Sequence, residues 1–174
     1  MKKLVLLIFI VSSFSFAQTD SIWNPFKNFI GTWNGEGSGE PGEGKYERSY
    51  NFIFNGKFIA IKNNSTYPPS PANKNKGEVH EDIGYISYDR IRKTFVLRQF
   101  HAESFVSQYK LDSISSDAKT IVFITESIEN IPTGWKAKET YHIISENEIE
   151  EIFELAQPNK DFEVYTKVRF KRTE

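Results

Sequence analysis

Residues 29–44 read FIGTWNGEGSGEPGEG and hold six of the chain's ten glycines. Gly35, Gly37 and Gly39 come after Trp33 at alternate positions. Successive side chains of a strand point to opposite faces, so this spacing puts Trp33 and the three glycines on one face and Thr32, Asn34, Glu36 and Ser38 on the other. A loop is the competing reading of a Gly, Pro and Ser-rich stretch. Glycine within a strand pattern marks a bend or the close approach of another backbone or a ligand, which favours the strand.

Most of the chain beyond residue 44 also reads as strand. Two β-rich runs, within residues 46–66, flank Asn55-Gly56, a dipeptide that favours the left-handed backbone of a two-residue hairpin turn. Further strands are expected over residues 80–88, 93–103, 105–112, 120–128, 135–145, 148–155 and 162–171, with turns at Asp89-Arg90, Ser115-Ser116-Asp117, Pro132-Thr133-Gly134, Glu146-Asn147 and residues 157–161. Residues 67–77 are rich in proline and lack apolar periodicity, which predicts a surface loop near the mouth of whatever the strands enclose. Before the first strand, Ile22, Trp23, Phe26, Phe29 and Ile30 fall at helical spacing, with Asp20 or Ser21 as cap and Pro25 keeping the segment short.

No stretch resembles a crossover helix. An all-β antiparallel up-and-down barrel of about ten strands, with a short N-terminal helix, is therefore expected, and a two-sheet sandwich is the alternative. A barrel of this size can hold one small ligand, and glycines beside Trp33 would leave interior volume unfilled.

At 174 residues, the chain fits one domain. A net charge of -1 gives no reason to expect nucleic acid as a partner. Met1-Lys2-Lys3 precedes the apolar run LVLLIFIV and then Ser15-Phe16-Ala17, the pattern of a secretory signal over residues 1–17 cut before Gln18. The run is shorter than the ~20 residues needed to span a bilayer. The expected mature protein is a single barrel domain, residues 18–174, periplasmic or secreted, with no transmembrane segment after cleavage. It has no cysteine, so its core must hold it together without disulfides.

Gly31-Thr32-Trp33 after a short helix, on the first strand of a ten-strand barrel with Arg169 in the last, resembles the calycin group of lipocalins and fatty-acid-binding proteins. Within it, residues 29–37 resemble the opening of nitrobindin-type haem-binding barrels and of secreted bacterial calycin-like barrels. Asn55-Gly56-Lys57-Phe58 and residues 80–86, HEDIGYI, are similar to the next two landmarks. The nitrobindin resemblance implies a haem held by a histidine of the last strand, acting on nitric oxide or peroxynitrite. Here that strand has no histidine, and Tyr165 stands at the matching position, or Val164 if the register slips by one. Tyrosine can ligate haem iron. Alternation, however, makes Phe162, Val164, Val168 and Phe170 the apolar face and puts Tyr165 with Lys167, Arg169 and Lys171, which weakens haem as the cofactor.

Two arginines interrupt strand patterns. Arg98 lies in FVLRQFH and Arg48 lies between Tyr46 and Tyr50. Each either grips a ligand carboxylate inside, as in the fatty-acid-binding relatives, or pairs with a glutamate. A ligand role predicts that replacement by methionine abolishes binding and leaves the melting temperature near wild type. His101 with Glu103, and His80 with Asp82, share strand faces, an arrangement open to metal or acid–base use, although no third ligand can be named. No nucleophile elbow, phosphate loop or zinc-binding cysteine pair is present, and no catalytic or metal residue is assigned. The leading expectation is a non-catalytic barrel binding a small, largely apolar molecule through Trp33, Gly35, Gly37, Arg48, Arg98, His101 and Tyr165. A nitrobindin-like haem protein and a structural or interaction barrel of the cell envelope are the alternatives.

Overall fold

Ten antiparallel strands succeed one another and close, β10 pairing with β1, in a computed structural model that describes residues 21–71 and 74–173. They are β1 Gly31–Gly39, β2 Gly44–Ile53, β3 Phe58–Tyr67, β4 Glu78–Asp89, β5 Thr94–His101, β6 Val106–Ile114, β7 Thr120–Glu129, β8 Lys136–Ser145, β9 Glu148–Ala156 and β10 Glu163–Arg172. Sequence neighbours are sheet neighbours throughout, which is an up-and-down barrel and not a sandwich. The expected signal over residues 1–17 and the cap at Asp20 lie outside the described residues.

One end of the barrel is plugged. Ser21–Phe29 forms a 3-10 helix containing Pro25, and its buried residues Trp23, Phe26 and Phe29 recur every third position, the repeat of a three-residue turn. Their rings meet Phe52, Phe95, Phe123, Tyr50 and Tyr141 at centroid distances of 4.7–6.2 Å. Trp33 forms the floor above this plug. Its indole Nε1 donates to the Phe29 carbonyl at 2.7 Å, and the Arg172 guanidinium lies 4.2 Å over its ring. Arg172 also donates to the Ile30 and Asn28 carbonyls, stapling the last strand to the plug.

The opening glycines are strand residues, but their inner face is not empty. A Cβ on Gly35 would lie 2.7 Å from the Phe170 ring and 2.9 Å from Val168, and one on Gly37 would lie 2.5 Å from the Lys167 carbonyl oxygen. Their cross-strand partners are Phe170 and Val168, whose side chains lie over the glycine backbone and occupy the volume the sequence left open. The glycines thus serve close approach of β10, not a cavity above Trp33. At Gly39 a Cβ would overlap the Tyr165 carbonyl oxygen, which accepts from the Glu40 amide at 2.9 Å. Gly39→Ala is expected to cost about 1–3 kcal/mol through this overlap, read as a lower urea midpoint with an unchanged slope.

Two local readings are corrected. Asn55-Gly56 does turn the chain, but the connection is four residues long, with left-handed φ at Phe54, Asn55 and Gly56 and the Lys57 amide bonded to the Ile53 carbonyl. In β10 the pairing with β9 shifts between Val164 and Thr166, a bulge with Tyr165 as the extra residue. Thr166, Val168 and Phe170 are buried, while Val164 is 58% exposed. Val164 therefore leaves the apolar face, and Tyr165 leaves the row of Lys167, Arg169 and Lys171 to set its ring against Phe153.

Candidate functional site

The register places a line of polar side chains across the barrel wall. Arg48 faces Asn63 from β2 to β3, Asn63 faces Asp82 from β3 to β4, and Asp82 faces His101 from β4 to β5. Arg48 Nε donates to Asn63 Oδ1 at 2.9 Å, and Asn63 Nδ2 donates to Asp82 Oδ2 at 2.9 Å. Asp82 lies 3.7 Å from His101 Nδ1. At the other end, Arg48 reaches over the inner face of β1 and β10 to Glu151 of β9, using Nη1 to Oε2 and Nη2 to Oε1 at 3.1 Å, and Nη1 also donates to the Tyr50 hydroxyl. A fork of this kind suits a guanidinium meeting a carboxylate.

Beside this line, Glu139 of β8 and Gln99 of β5 are buried, and a hydrogen bond from Gln99 steadies the Glu139 carboxyl. Burial nonetheless pushes that carboxyl from its ordinary 4.5 up to about 8, against the attraction of Arg48 and with the added repulsion of Asp82. Glu139 is thus largely protonated at neutral pH. Three buried atoms here have no hydrogen-bond partner, namely Gln99 Oε1, His101 Nε2 and Glu139 Oε2. Buried polar atoms are rarely left so, since each lost bond costs about 1–3 kcal/mol. His101 stacks on Phe105 at 4.0 Å, and burial lowers its pKa, partly offset by Asp82 and Glu103. The Asp82 carboxylate 3.7 Å from Nδ1 favours the neutral tautomer with its proton on that nitrogen, in which Nε2 is an acceptor.

The strand end opposite the plug forms a mouth. Around it, His101, Phe105, Ile128, Phe153, Leu155 and Tyr165 keep partial exposure. Tyr46 and Tyr67 join hydroxyls at 2.6 Å beneath the β3–β4 loop. A groove of about 920 Å³ opens between that loop and the β1–β2 turn, lined by Gly37, Gly44, Tyr67, Pro68 and Glu78 among others. On the other side of the β1–β2 turn, Trp135, Leu155 and Tyr165 line a second hollow of about 410 Å³. Both of these hollows sit at the rim, above an interior lined by aromatic and polar side chains.

Not every residue singled out from the sequence faces this region. Arg98 is on the outer face, donating to Gln108 Oε1 at 3.0 Å and to Ser87, because Leu97 and Gln99 take the inward positions on either side of it. Trp33, Gly35 and Gly37 belong to the floor and wall, Arg48 to the polar line, His101 to its end and Tyr165 to the rim. The two histidine pairs exchange partners. His101 faces Asp82 across the β4–β5 pair, while His80 bonds Glu78 two positions along its own strand and Glu103, which lies in the turn after β5 ends at His101. Burial works against the charge on His80, but these two carboxylates outweigh it and hold its pKa above the ordinary value. Among the described residues, no three His, Cys, Asp or Glu side chains converge to hold a metal ion.

Glu139, Glu151, Gln99 and Asn63 escaped the sequence reading. A signal was present in β8, where Ala137, Tyr141 and Ile143 form an inward row and the carboxylate at 139 occupies an apolar position of the alternation. The same holds for Glu151 between Ile149 and Phe153.

A closed ten-strand meander with one helix-plugged end defines a calycin-like barrel. Among solved structures, Rv2717c from M. tuberculosis matches with a TM-score of 0.64 at 15% identity, over 90% of this chain and 100% of that one. The S-type phycobiliprotein lyase CPES from Guillardia theta matches with a TM-score of 0.55 at 12% identity, over 89% and 94%. At such identities the likeness shows the fold alone. No family model matches the chain, nor does any curated protein.

The haem implied by the nitrobindin resemblance does not fit the residue at its expected ligand position. Burial raises the Tyr165 phenol above its ordinary pKa, and its other electrostatic neighbours, Tyr67, Glu78, Glu40 and Glu103, raise it further, so none of them favours a phenolate ligand. His101 stands on β5, five strands away around a ring of ten and hence on the opposite wall.

Proposed function

We propose that this protein is an exported, non-catalytic barrel that binds a small, largely apolar molecule at its open end. The observation that carries this reading is the trio of unpartnered buried atoms, Gln99 Oε1, His101 Nε2 and Glu139 Oε2, in a barrel whose opposite end is closed by the aromatic plug. A ligand with an apolar body against Phe153, Leu155, Tyr165 and Trp135 and a polar head directed inward would satisfy those atoms. Native mass spectrometry of protein purified from its own host is expected to show a retained small molecule, and a fluorescent lipid probe is expected to bind saturably. A ligand-free native protein that binds no probe would overturn the reading. Export predicts a mature chain beginning at Gln18, checked by its intact mass.

Two other readings have tests. A haem protein of the nitrobindin kind requires a Soret band, on adding hemin, that is lost in Tyr165→Phe or His101→Ala. An interaction barrel of the cell envelope draws support from Ile83, Tyr85 and Phe100, apolar side chains 38–47% exposed on adjoining strands, and predicts specific partners in pull-downs together with an empty ligand screen.

A further inference from the structure

We propose that the interior selects a ligand whose head donates hydrogen bonds and carries positive charge, an organic amine or amidine, and that it disfavours carboxylates. This rests on the reading of the open end as a ligand site. Its basis is the polarity of what is left unpaired. An arginine inside a barrel suggests a carboxylate partner, but here Arg48 is already engaged. Its guanidinium makes hydrogen bonds to Glu151, Tyr50 and Asn63 and lies 4.6 Å over the Phe170 ring. Asn63 turns its amide donor to Asp82.

Two of the three atoms without partners are acceptors. Gln99 directs its amide hydrogen to Glu139 and leaves Oε1 free, and His101 keeps its proton toward Asp82 and leaves Nε2 free. Glu139 Oε2 carries the carboxyl proton at neutral pH and becomes an acceptor once that proton leaves. Gln99 is 8% exposed and Glu139 is 5% exposed, so water meets their needs poorly. Charge points the same way. Glu151 cancels Arg48, leaving Asp82 as an uncancelled carboxylate and Glu139 as a reserve one, with Glu78 and Glu103 around His80 at the rim. A carboxylate head would meet the free acceptors of Gln99 and His101 beside the Asp82 carboxylate. An ammonium head would satisfy the acceptors and favour the ionised form of Glu139, whose proton passes to solvent. No three ionisable ligands converge among the described residues, so the cation these acceptors suit is organic and not a metal ion.

The test is calorimetric titration of the full mature chain at pH 7 with n-octylamine, n-octanol and octanoate, which share a tail and differ in the head. The amine is expected to bind at least about tenfold more tightly than the acid, the scale of one charge-assisted hydrogen bond. Gln99→Leu should weaken the amine by about tenfold and leave the alcohol nearly unchanged. Glu139→Gln, which keeps shape and fold, should narrow the gap between amine and acid and serves where Gln99→Leu does not fold. Octanoate binding as well as or better than octylamine overturns the proposal while leaving the site intact. Amine affinity unchanged in both variants also overturns it, by placing the binding elsewhere. If none of the three molecules binds, the ligand site itself is refuted and the proposal falls with it.

Discussion

Glu151→Leu is expected to destabilise the barrel by about 3–5 kcal/mol, because it strands the Arg48 charge in the lumen. Both side chains are nearly sealed, at 8% and 7% exposure, and the guanidinium has no route to water that preserves its bonds to Asn63 and Tyr50. The loss belongs to the unpaired charge and not to the pair. The double variant Arg48→Met/Glu151→Leu, which fills similar volume with apolar groups, should therefore recover most of it. Urea unfolding of wild type, both single variants and the double variant gives the coupling between the two sites. This outcome also distinguishes the two roles open to Arg48. A ligand-gripping arginine replaced by methionine would leave the melting temperature near wild type, whereas Arg48→Met leaves Glu151 unpaired and should lower it by several degrees. A single Glu151→Leu substitution with no effect on stability would overturn the structural role given to the pair.

Glu139→Gln is expected to act in the opposite direction. In the unfolded chain the carboxyl releases its proton near its ordinary 4.5, but in the barrel only near about 8. Between those values the unfolded state binds fewer protons than the native one, so each rise in pH favours unfolding. Glutamine has no proton to lose and can keep the bond with Gln99. The variant should match wild type near pH 4 and exceed it at pH 8 by on the order of 3 kcal/mol. The groups that face Glu139 are Arg48 and Tyr50 of β2, Asp82 of β4, Gln99 of β5, Tyr109 of β6, Tyr141 of β8 and, opposite it in register, Phe123 of β7 and Phe153 of β9. Burial raises the three phenols above their ordinary pKa, so they keep their protons across this window and the change expected here belongs to Glu139. Equal pH profiles for variant and wild type would sink the assignment. Together with the proposed amine preference, Glu139 would be a residue that costs stability and serves binding, a common pattern at functional sites.

Strand number, order and approximate ends were legible in the residues, because alternation with a period of two and turn residues at short intervals are local properties. The ten strands appear where alternation placed them, and Trp33 faces inward as the opening stretch indicated. Where a bulge intervenes, the same logic fails. One extra residue at Tyr165 turns Val164 outward and the tyrosine toward the rim, and nothing local announces it. The glycine face is a second case. Its missing side chains are visible in the sequence, but whether the vacancy is a cavity or a berth for Phe170 and Val168 depends on β10, at the far end of the chain.

The candidate site belongs almost wholly to closure of the barrel. Arg48 and Glu151 are separated by 103 positions and meet only because closure through β1 and β10 brings β2 and β9 within three strands of each other. His101 meets Asp82 and not Glu103 because Asp82 is its partner on β4, while β5 ends at His101 and Glu103 lies in the turn beyond. A pattern of period two says which residues share a face. It is silent on which faces meet, and an interior polar network is made of those meetings.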